Sequence, residues 1–155
     1  MRLETFEMID SVDVFDAKRG HIETTSSVPA KSPVFEGHFP SYPILPGVMI
    51  LETMNHAAGW LMLGLNRWSR LPFFVGAKRV KIRHFVTPGQ VMKATADLLH
   101  EGSGFAVSQC AVTVDGKPIA EAEVTMMLMN FPTPELGAEV ERRARKVGMI
   151  AAAGA

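Results

Sequence analysis

Two side chains have the chemical type and the setting for acid–base chemistry, and the first is Glu52. It lies in residues 48–65, a run that is otherwise almost entirely apolar. A buried carboxylate without a partner is costly, so Glu52 must pair, take up a proton or face a cavity. The alternative is an acidic residue stabilised by the helix dipole. That effect has mostly faded at Glu52, because a helix that begins at Gly47 places it just past the first turn. We therefore expect a functional carboxylate.

The second candidate is His38. A lone histidine is more often an ordinary surface or hydrogen-bonded residue than a catalyst, although its titration range suits proton transfer. Its surroundings favour a catalytic role, because five prolines restrict the segment around it: Pro29, Pro33, Pro40, Pro43 and Pro46. This segment leads directly into the helix that carries Glu52. A rigid loop that places an imidazole near a carboxylate suits paired acid–base chemistry.

The helix is predicted to cover residues 47–66, since Pro46 precedes it and Leu71-Pro72 cannot continue it. Its apolar run approaches the length of a membrane span. However, Glu52, Asn55 and His56 interrupt the run, and the chain has no other such stretch. A helix that is apolar on all sides is also typical of a domain core that other elements surround. Among strand-like neighbours, the core helix is the better interpretation.

Around this helix the pattern predicts six strands, at residues 8–16, 21–28, 73–84, 91–100, 105–114 and 118–130. Short breaks at residues 17–20, 87–89 and 102–104 and the hairpin signal Asp115-Gly116 predict antiparallel neighbours. The expected fold class is α+β, a six-stranded antiparallel sheet wrapped around a long central helix. We expect one domain over residues 1–131. A C-terminal extension, residues 132–155, would contain a charged helix at residues 135–147 and a fraying tail.

Composition limits the classes of function. The chain has 155 residues, 47% of them hydrophobic, with 16 Lys and Arg against 16 Asp and Glu. The zero net charge argues against a nucleic-acid-binding protein, which normally carries a basic excess. The only cysteine, Cys110, suits a reducing compartment and is expected to be a small buried residue. The N-terminus lacks the pattern of a signal peptide, so we expect a cytoplasmic globular protein.

Residues 37–59 closely resemble the signature of the bacterial 3-hydroxyacyl-[acyl-carrier-protein] dehydratases. The matching positions are Gly37-His38-Phe39-Pro40, Pro43, Pro46-Gly47-Val48, Glu52 and Ala57-Ala58-Gly59. Segments 74–76, 81–83, 86–90 and 112–122 are also similar to that family, so the resemblance covers roughly residues 10–129. It implies a hot-dog fold. Glutamate at position 52, where the isomerising branch of the family has aspartate, implies the simple dehydratase branch.

The resemblance also implies roles for these residues in fatty acid biosynthesis. His38 would take the proton from C2 of a 3-hydroxyacyl thioester, and Glu52 would protonate the C3 hydroxyl, directly or through a water. The backbone N–H groups of Gly47 and Val48 would polarise the thioester carbonyl, which suits the free donors of a helix N-terminus. Phe39 would also contact the substrate. No metal, nucleotide or flavin cofactor is implied.

The implied partners are an acyl carrier protein, with its phosphopantetheine-linked acyl chain, and a second copy of the chain. In this family His and Glu of one site come from different subunits, and hexamers built as trimers of dimers also occur.

His56 departs from the family, which usually has glutamine at this position, and Asn55 replaces a small residue. Because His56 follows Glu52 by four residues, both face the same side of the helix. His56 is expected to contribute to substrate binding at this site. It would either keep the hydrogen bond that orients the carboxylate or hold Glu52 ionised in an ion pair, which would weaken it as an acid. A metal site at Glu52, His56 and His38 is a weak alternative, because no fourth ligand is evident.

Two further features suggest partners, each beside an ordinary structural explanation. Strand alternation places Arg79, Lys81 and Arg83 on one face, which is either a solvated strand face or a dock for the acidic carrier protein. The predicted helix also carries three methionines, Met49, Met54 and Met62. Thioethers adapt to flexible chains, so one interpretation is that they line an acyl tunnel, whereas the better interpretation for most of them is core packing.

Two other functions remain open. A hot-dog acyl thioesterase would use Glu52 to activate water, but it needs no base at C2, so the setting of His38 disfavours it. A non-catalytic acyl-binding subunit is compatible with the His56 change, whereas the presence of both His38 and Glu52 argues against it. Serine hydrolase chemistry has no support, since the chain has no Gly-x-Ser-x-Gly motif.

Overall fold

Buried and more exposed residues alternate along most of the strands, so that the sheet has one buried face. A computed structural model describes residues 1–150. Its elements are β1 (Ser11–Asp16), β2 (His21–Ser27), α1 (Pro33–Gly37), α2 (Gly47–Leu65), β3 (Leu71–Ile82), β4 (Val91–Gly102), β5 (Phe105–Val114), β6 (Lys117–Met129) and α3 (Pro134–Lys146). The strands form a six-stranded antiparallel sheet in the order β1-β2-β4-β5-β6-β3. The predicted fold class is therefore confirmed.

The long helix α2 packs against the buried face of this sheet. It contacts β2, β3, β4, β5 and β6. Small side chains let it approach closely, because the buried positions of the sheet include alanines on β4, β5 and β6 and those of the helix include Ala57 and Ala58. Leu61 and Met62 are fully buried, and each such side chain contributes about 1.5–3 kcal/mol to folding. No helix within residues 1–150 is long and apolar enough to span a bilayer.

One predicted neighbour relation is wrong. The break at residues 87–89 was expected to join adjacent strands, yet β3 pairs with β6 and β4 pairs with β2 and β5. The connection between β3 and β4 passes along the start of α2, where the Val86 carbonyl accepts a hydrogen bond from Leu45 N–H at 2.7 Å. Burial of Val86 holds this crossing segment in place. A turn signal marks where a strand ends but carries no information on its next partner.

Smaller differences occur at the chain's first strand and in the proline-rich segment. The first strand begins at Ser11 rather than residue 8. Met8 is fully buried outside the strand, and its carbonyl accepts a hydrogen bond from the Ser26 hydroxyl. The proline-rich segment contains the five-residue helix α1, which Ser32 caps by accepting a hydrogen bond from Val34 N–H. Proline at the first helical position is compatible with this start.

The charged C-terminal helix exists, and it packs against the domain. Ala144, Val147 and Met149 are buried in the same core cluster as α2 and the sheet. The Val147 carbonyl accepts a hydrogen bond from Val12 N–H of β1 at 2.8 Å. The domain boundary at residue 131 stays a prediction, and the fraying expected for residues 151–155 lies outside the described residues. Cys110 is fully buried, as expected, and burial raises the pKa of its thiol to about 12.

A surface histidine makes the stability of the sheet depend on pH. His21 Nδ1 lies 2.7 Å from Asp97 Oδ1, and His21 Nε2 lies 3.2 Å from Glu23 Oε1. Burial alone would lower the pKa of His21, but these two hydrogen bonds outweigh it, so the pKa is raised. A raised folded-state pKa adds stability below the unfolded value of about 6.5, and this stability is lost as the pH rises through the folded value.

We therefore predict that His21→Gln lowers the free energy of unfolding at acidic pH, where the wild-type histidine is charged, and lowers it much less at alkaline pH. The loss should reach at most about 1 kcal/mol, because the two carboxylates are half exposed and solvent weakens their interaction with the histidine. Urea unfolding at two pH values measures this difference. His84→Gln, at an exposed histidine, is the control. An equal loss of stability at both pH values would contradict the linkage.

Candidate active site

The loop after α1 holds His38 in one orientation. Its backbone N–H donates to the Val34 carbonyl at 3.1 Å, and its carbonyl accepts from Ile44 N–H at 2.9 Å. The ring atom Nδ1 lies 3.0 Å from the Ile44 carbonyl oxygen, and the ring stacks on Phe39 with 4.4 Å between centroids. A carbonyl only accepts, so Nδ1 carries a hydrogen, and in the neutral ring Nε2 then keeps its lone pair. His38 is therefore prepared to act as a base through Nε2.

Glu52 lies on α2 between two hydrogen-bond donors from its own helix. Asn55 Nδ2 donates to Oε2 at 3.0 Å, and His56 Nε2 lies 3.1 Å from Oε1. Residues three and four positions ahead on a helix share a face, which explains both contacts. The hydrogen bond from His56 is the largest influence on the pKa of Glu52. Together with the charge of His56 and the Asn55 hydrogen bond it outweighs burial, so this pKa is lowered. Glu52 is therefore an ionised, oriented carboxylate.

The side-chain amide of Asn55 has one unused atom. Its Oδ1 is buried and has no hydrogen-bond partner within residues 1–150. In the present orientation the amide donates to an ionised Glu52. If the amide rotated by half a turn, Oδ1 would accept a hydrogen bond from a protonated Glu52. Asn55 is thus able to bind either protonation state of the carboxyl group.

The N-terminus of α2 presents free backbone donors. The hydrogen bonds of the described residues give no acceptor to the N–H groups of Gly47 and Val48, and Pro46 supplies no side-chain cap. Such donors carry partial positive charge and suit a developing oxyanion. Gly47 has a packing reason as well, because a Cβ there would lie 2.8 Å from Ile82 Cδ1 of β3. Val48 is 75% exposed, so this end of the helix is open to a ligand.

The structure brings some of the predicted residues together and leaves others apart. Glu52 and His56 are in contact, and His38 stacks on Phe39 in the loop that leads to Gly47. His38 and Glu52, in contrast, share no hydrogen bond within residues 1–150. No three His, Cys, Asp or Glu side chains of that range cluster as a metal site.

The basic side chains predicted to bind a carrier protein lie in the last part of β3 and directly after it, and β6 supplies carboxylates to all of them. Arg79 pairs with Glu123, while Lys81 and Arg83 pair with Glu121 at 3.5 and 2.9 Å. These pairs reduce the net positive charge of the strand face. Carrier docking at this face stays a prediction.

The helix methionines lie mainly in the core. Met54 and Met62 are fully buried, and Met49 is partly buried against the same core. They pack the domain, as expected for most of them. Sequence reasoning noted Asn55 only as a departure and missed its contact with Glu52, although the spacing of three residues on a helix was a usable signal.

Solved structures with the same architecture define the class of fold. The conserved protein PA5202 from Pseudomonas aeruginosa superposes with a TM-score of 0.65 at 17% identity, over 83% of this chain and 95% of that one. A hypothetical thioesterase from Streptococcus pneumoniae, solved with coenzyme A, gives a TM-score of 0.63 at 13% identity, over 79% and 88%. At such low identity these similarities establish the fold alone. The chain has the hot-dog fold.

The sequence comparisons establish the family. The FabA-like domain matches residues 2–123. The 3-hydroxyacyl-[acyl-carrier-protein] dehydratase FabZ of Chlamydia pneumoniae is 36% identical over 131 residues, covering 81% of this chain and 84% of the relative. The enzyme of the same name from Ruminiclostridium cellulolyticum is 34% identical over 120 residues, covering 77% and 84%. The chain belongs to the FabA-like family, which confirms the resemblance drawn from residues 37–59.

The hydrogen bond between His56 and Glu52 leads to a prediction about ionisation. His56→Leu removes the main influence that lowers the pKa of Glu52, so burial then dominates and this pKa rises. His56→Gln keeps a donor without the charge, so its effect should be smaller. Carbon-13 NMR titration of the glutamate carboxyl groups measures both variants. An unchanged titration of Glu52 in His56→Leu would contradict this account.

Proposed function

We propose that this protein dehydrates (3R)-3-hydroxyacyl-[acyl-carrier-protein] thioesters to trans-2-enoyl thioesters and water, as a hydro-lyase of fatty acid biosynthesis. The observation that carries the proposal is the hydrogen bond from His38 Nδ1 to the Ile44 carbonyl, which leaves Nε2 of the neutral ring free to act as a base in the loop that leads to α2. Membership of the FabA-like family and the names of the curated relatives support the same reaction.

The proposed reaction uses the groups at the start of α2 and in the loop before it. The thioester carbonyl accepts hydrogen bonds from Gly47 and Val48 N–H, which stabilise negative charge as C2 loses its proton. His38 Nε2 takes that proton. The electron pair of the C2–H bond forms the C2–C3 double bond, and the bond between C3 and the hydroxyl oxygen breaks. The leaving oxygen takes up one proton and departs as water.

Because Glu52 is ionised, the proton that the leaving oxygen takes up needs a further source. The pKa of Glu52 is lowered, so the carboxylate form dominates at neutral pH. We infer that Glu52 positions the hydroxyl and relays a proton from a hydrogen-bonded neighbour, either His56 or a water. Rotation of the Asn55 amide would accommodate the moment when Glu52 is protonated. His56 therefore acts at the carboxylate, next to the substrate.

A second copy of the chain completes the site in this proposal. Within one chain His38 and Glu52 do not meet, and β3 forms an edge of the sheet with exposed apolar side chains such as Phe73 and Val75. A long exposed edge strand favours pairing with another strand. We infer a dimer that joins along β3, in which His38 of one protomer faces Glu52 of its partner. A hexamer would be three such dimers.

The remaining partner is the acyl carrier protein, and we place its dock at Arg79, Lys81 and Arg83. These side chains are exposed, and an acidic carrier would compete with Glu121 and Glu123 for them. We further infer a cytoplasmic location, which suits the single buried thiol of Cys110.

The first test follows enoyl-thioester absorbance. Wild-type protein should interconvert 3-hydroxyacyl and trans-2-enoyl thioesters without added cofactor, and His38→Ala and Glu52→Gln should each lower kcat/KM by about a hundredfold or more. His84→Ala, outside the site, is the control. Release of free thiol without enoyl product would replace the proposal with a thioesterase. Tight acyl-carrier binding without either activity would indicate a non-catalytic subunit.

The dimer has its own test. Val75→Lys should convert the dimer to a monomer and remove activity, because a charge at the β3 edge opposes strand pairing. Leu99→Lys is the matched control, since Leu99 is 56% exposed and Val75 is 52% exposed. Light scattering after size-exclusion chromatography gives the mass of each variant. A wild-type protein that is monomeric and fully active would contradict the shared site.

A further inference from the structure

A pocket of about 200 Å³ begins beside the residues that hold Glu52. Asn55 and His56 line one end of it, and Gly59 and Leu63 of the same helix line its length. A second cavity, on the side of His56 that faces the N-terminal segment, measures about 40 Å³. That volume is too small for more than a solvent molecule or two. The larger pocket therefore offers space along α2, beginning at Asn55 and His56, the two residues that donate to Glu52.

The pocket runs in the direction that the proposed function gives to the acyl chain. In the proposed function the thioester carbonyl binds at the N-terminus of α2 and C3 lies at Glu52. The helix face then continues through Asn55, Gly59 and Leu63 at spacings of three or four residues. From Glu52 to Leu63 this face is about 16 Å long at ~1.5 Å per residue. The part of the acyl chain beyond C3 would lie along it.

The wall formed by the sheet is apolar and leaves space opposite Gly59. Leu71, Pro72 and Phe74 of β3 and Met126 of β6 form this wall. A Cβ at position 59 would lie 3.7 Å from Met126 Cε and 4.0 Å from Pro72 Cγ, which are ordinary contact distances. A methyl group therefore fits there without a clash, and it occupies space that the pocket now leaves open.

The remaining wall comes from α3, beyond the residues that match the family. Val140 and Arg143 line the pocket, whereas the FabA-like match ends at residue 123. The helix is held in place by buried Ala144 and by the ion pair of Lys146 with Glu7 at 2.6 Å. Arg143 Nε donates to Glu139 at 3.0 Å, so its charge is engaged and its aliphatic stem faces the pocket.

We propose that α3 closes an acyl-chain pocket that begins at Asn55 and His56, beside Glu52, and that Gly59 and Val140 on its opposite walls limit the length of the chain. The occupant is the apolar distal part of the acyl group. This inference rests on the proposed function and adds to it a determinant of substrate length that belongs to the C-terminal extension.

Point variants test this better than removal of α3, which would expose Ala144, Val147 and Met149 of the core. Gly59→Ala favours the helix and fills the floor of the pocket. Val140→Phe narrows it from the opposite side. Gly137→Ala is the matched control, because it makes the same change on α3, where the added methyl meets only Phe131 at 3.9 Å and lies outside the pocket.

The measurement is kcat/KM for a series of 3-hydroxyacyl pantetheine thioesters of increasing chain length. Gly59→Ala and Val140→Phe should lower the value for the longest accepted chains by about tenfold or more, and change that for the shortest chain by less than about twofold. Gly137→Ala should keep the wild-type profile. Equal losses at every length, or an unchanged profile in both pocket variants, would overturn the proposal.

A binding measurement separates this inference from the proposed function. Trp60 lines the pocket, so in Trp68→Phe its fluorescence reports occupancy. Long acyl pantetheine thioesters should change this fluorescence, and Gly59→Ala in the same background should shift the response toward shorter chains. If wild type dehydrates no thioester yet shows this length-dependent signal, the dehydratase assignment fails and the pocket remains. Dehydration without any Trp60 response to chain length would remove the pocket.

Discussion

The hydrogen-bonded carboxylate of Glu52 is the constraint on which the rest of this structure depends. It lies partly exposed on a helix that packs against a sheet, where Asn55 and His56 donate to its two oxygens and offset the cost of its partial burial. The same donors lower its pKa and hold it as an anion. A group that must stay charged beside an apolar helix has to face a polar or open region. That region is the candidate site.

The helix serves the site through its packing as much as through its side chains. Alanines on the sheet and on α2 bring the two layers close, and Gly47 lets β3 approach the start of the helix. The backbone donors of Gly47 and Val48 are thereby fixed next to the His38 loop. The hydrogen bond between His38 Nδ1 and the Ile44 carbonyl depends on that loop being rigid. In each protomer the loop thus places the base, and the helix that follows it places the donors and the carboxylate.

The basic residues at the end of β3 have a different electrostatic environment in the folded chain from the one that the sequence alone indicates. Arg79, Lys81 and Arg83 form a basic stripe in the sequence, whereas in the folded chain β6 places Glu121 and Glu123 beside them. A carrier protein would have to compete with these exposed pairs, each of which contributes little in water. These basic side chains are therefore paired with carboxylates that a carrier protein could replace, and they do not form a free positive surface.

Much of this protein follows from local rules that a single sequence contains. Alternation predicted β5 at its observed bounds, the Asp115-Gly116 signal marked the turn to β6, and the apolar run predicted α2 to within one residue. The motif around His38 and Glu52 indicated the family, and the spacing of Glu52 and His56 predicted their contact. These features are determined by residues that are near one another in the chain, where strand and helix periodicity decide the geometry.

Only the tertiary structure decided which distant segments meet. Strand β3 pairs with β6 instead of β4, and the C-terminal segment packs into the shared core, so that Val140 lines the pocket that begins at Asn55 and His56. Neither relation has a local signal. Strand partners and helix docking depend on which buried surfaces fit once the whole core has assembled, and that fit is a property of contacts between residues far apart in sequence.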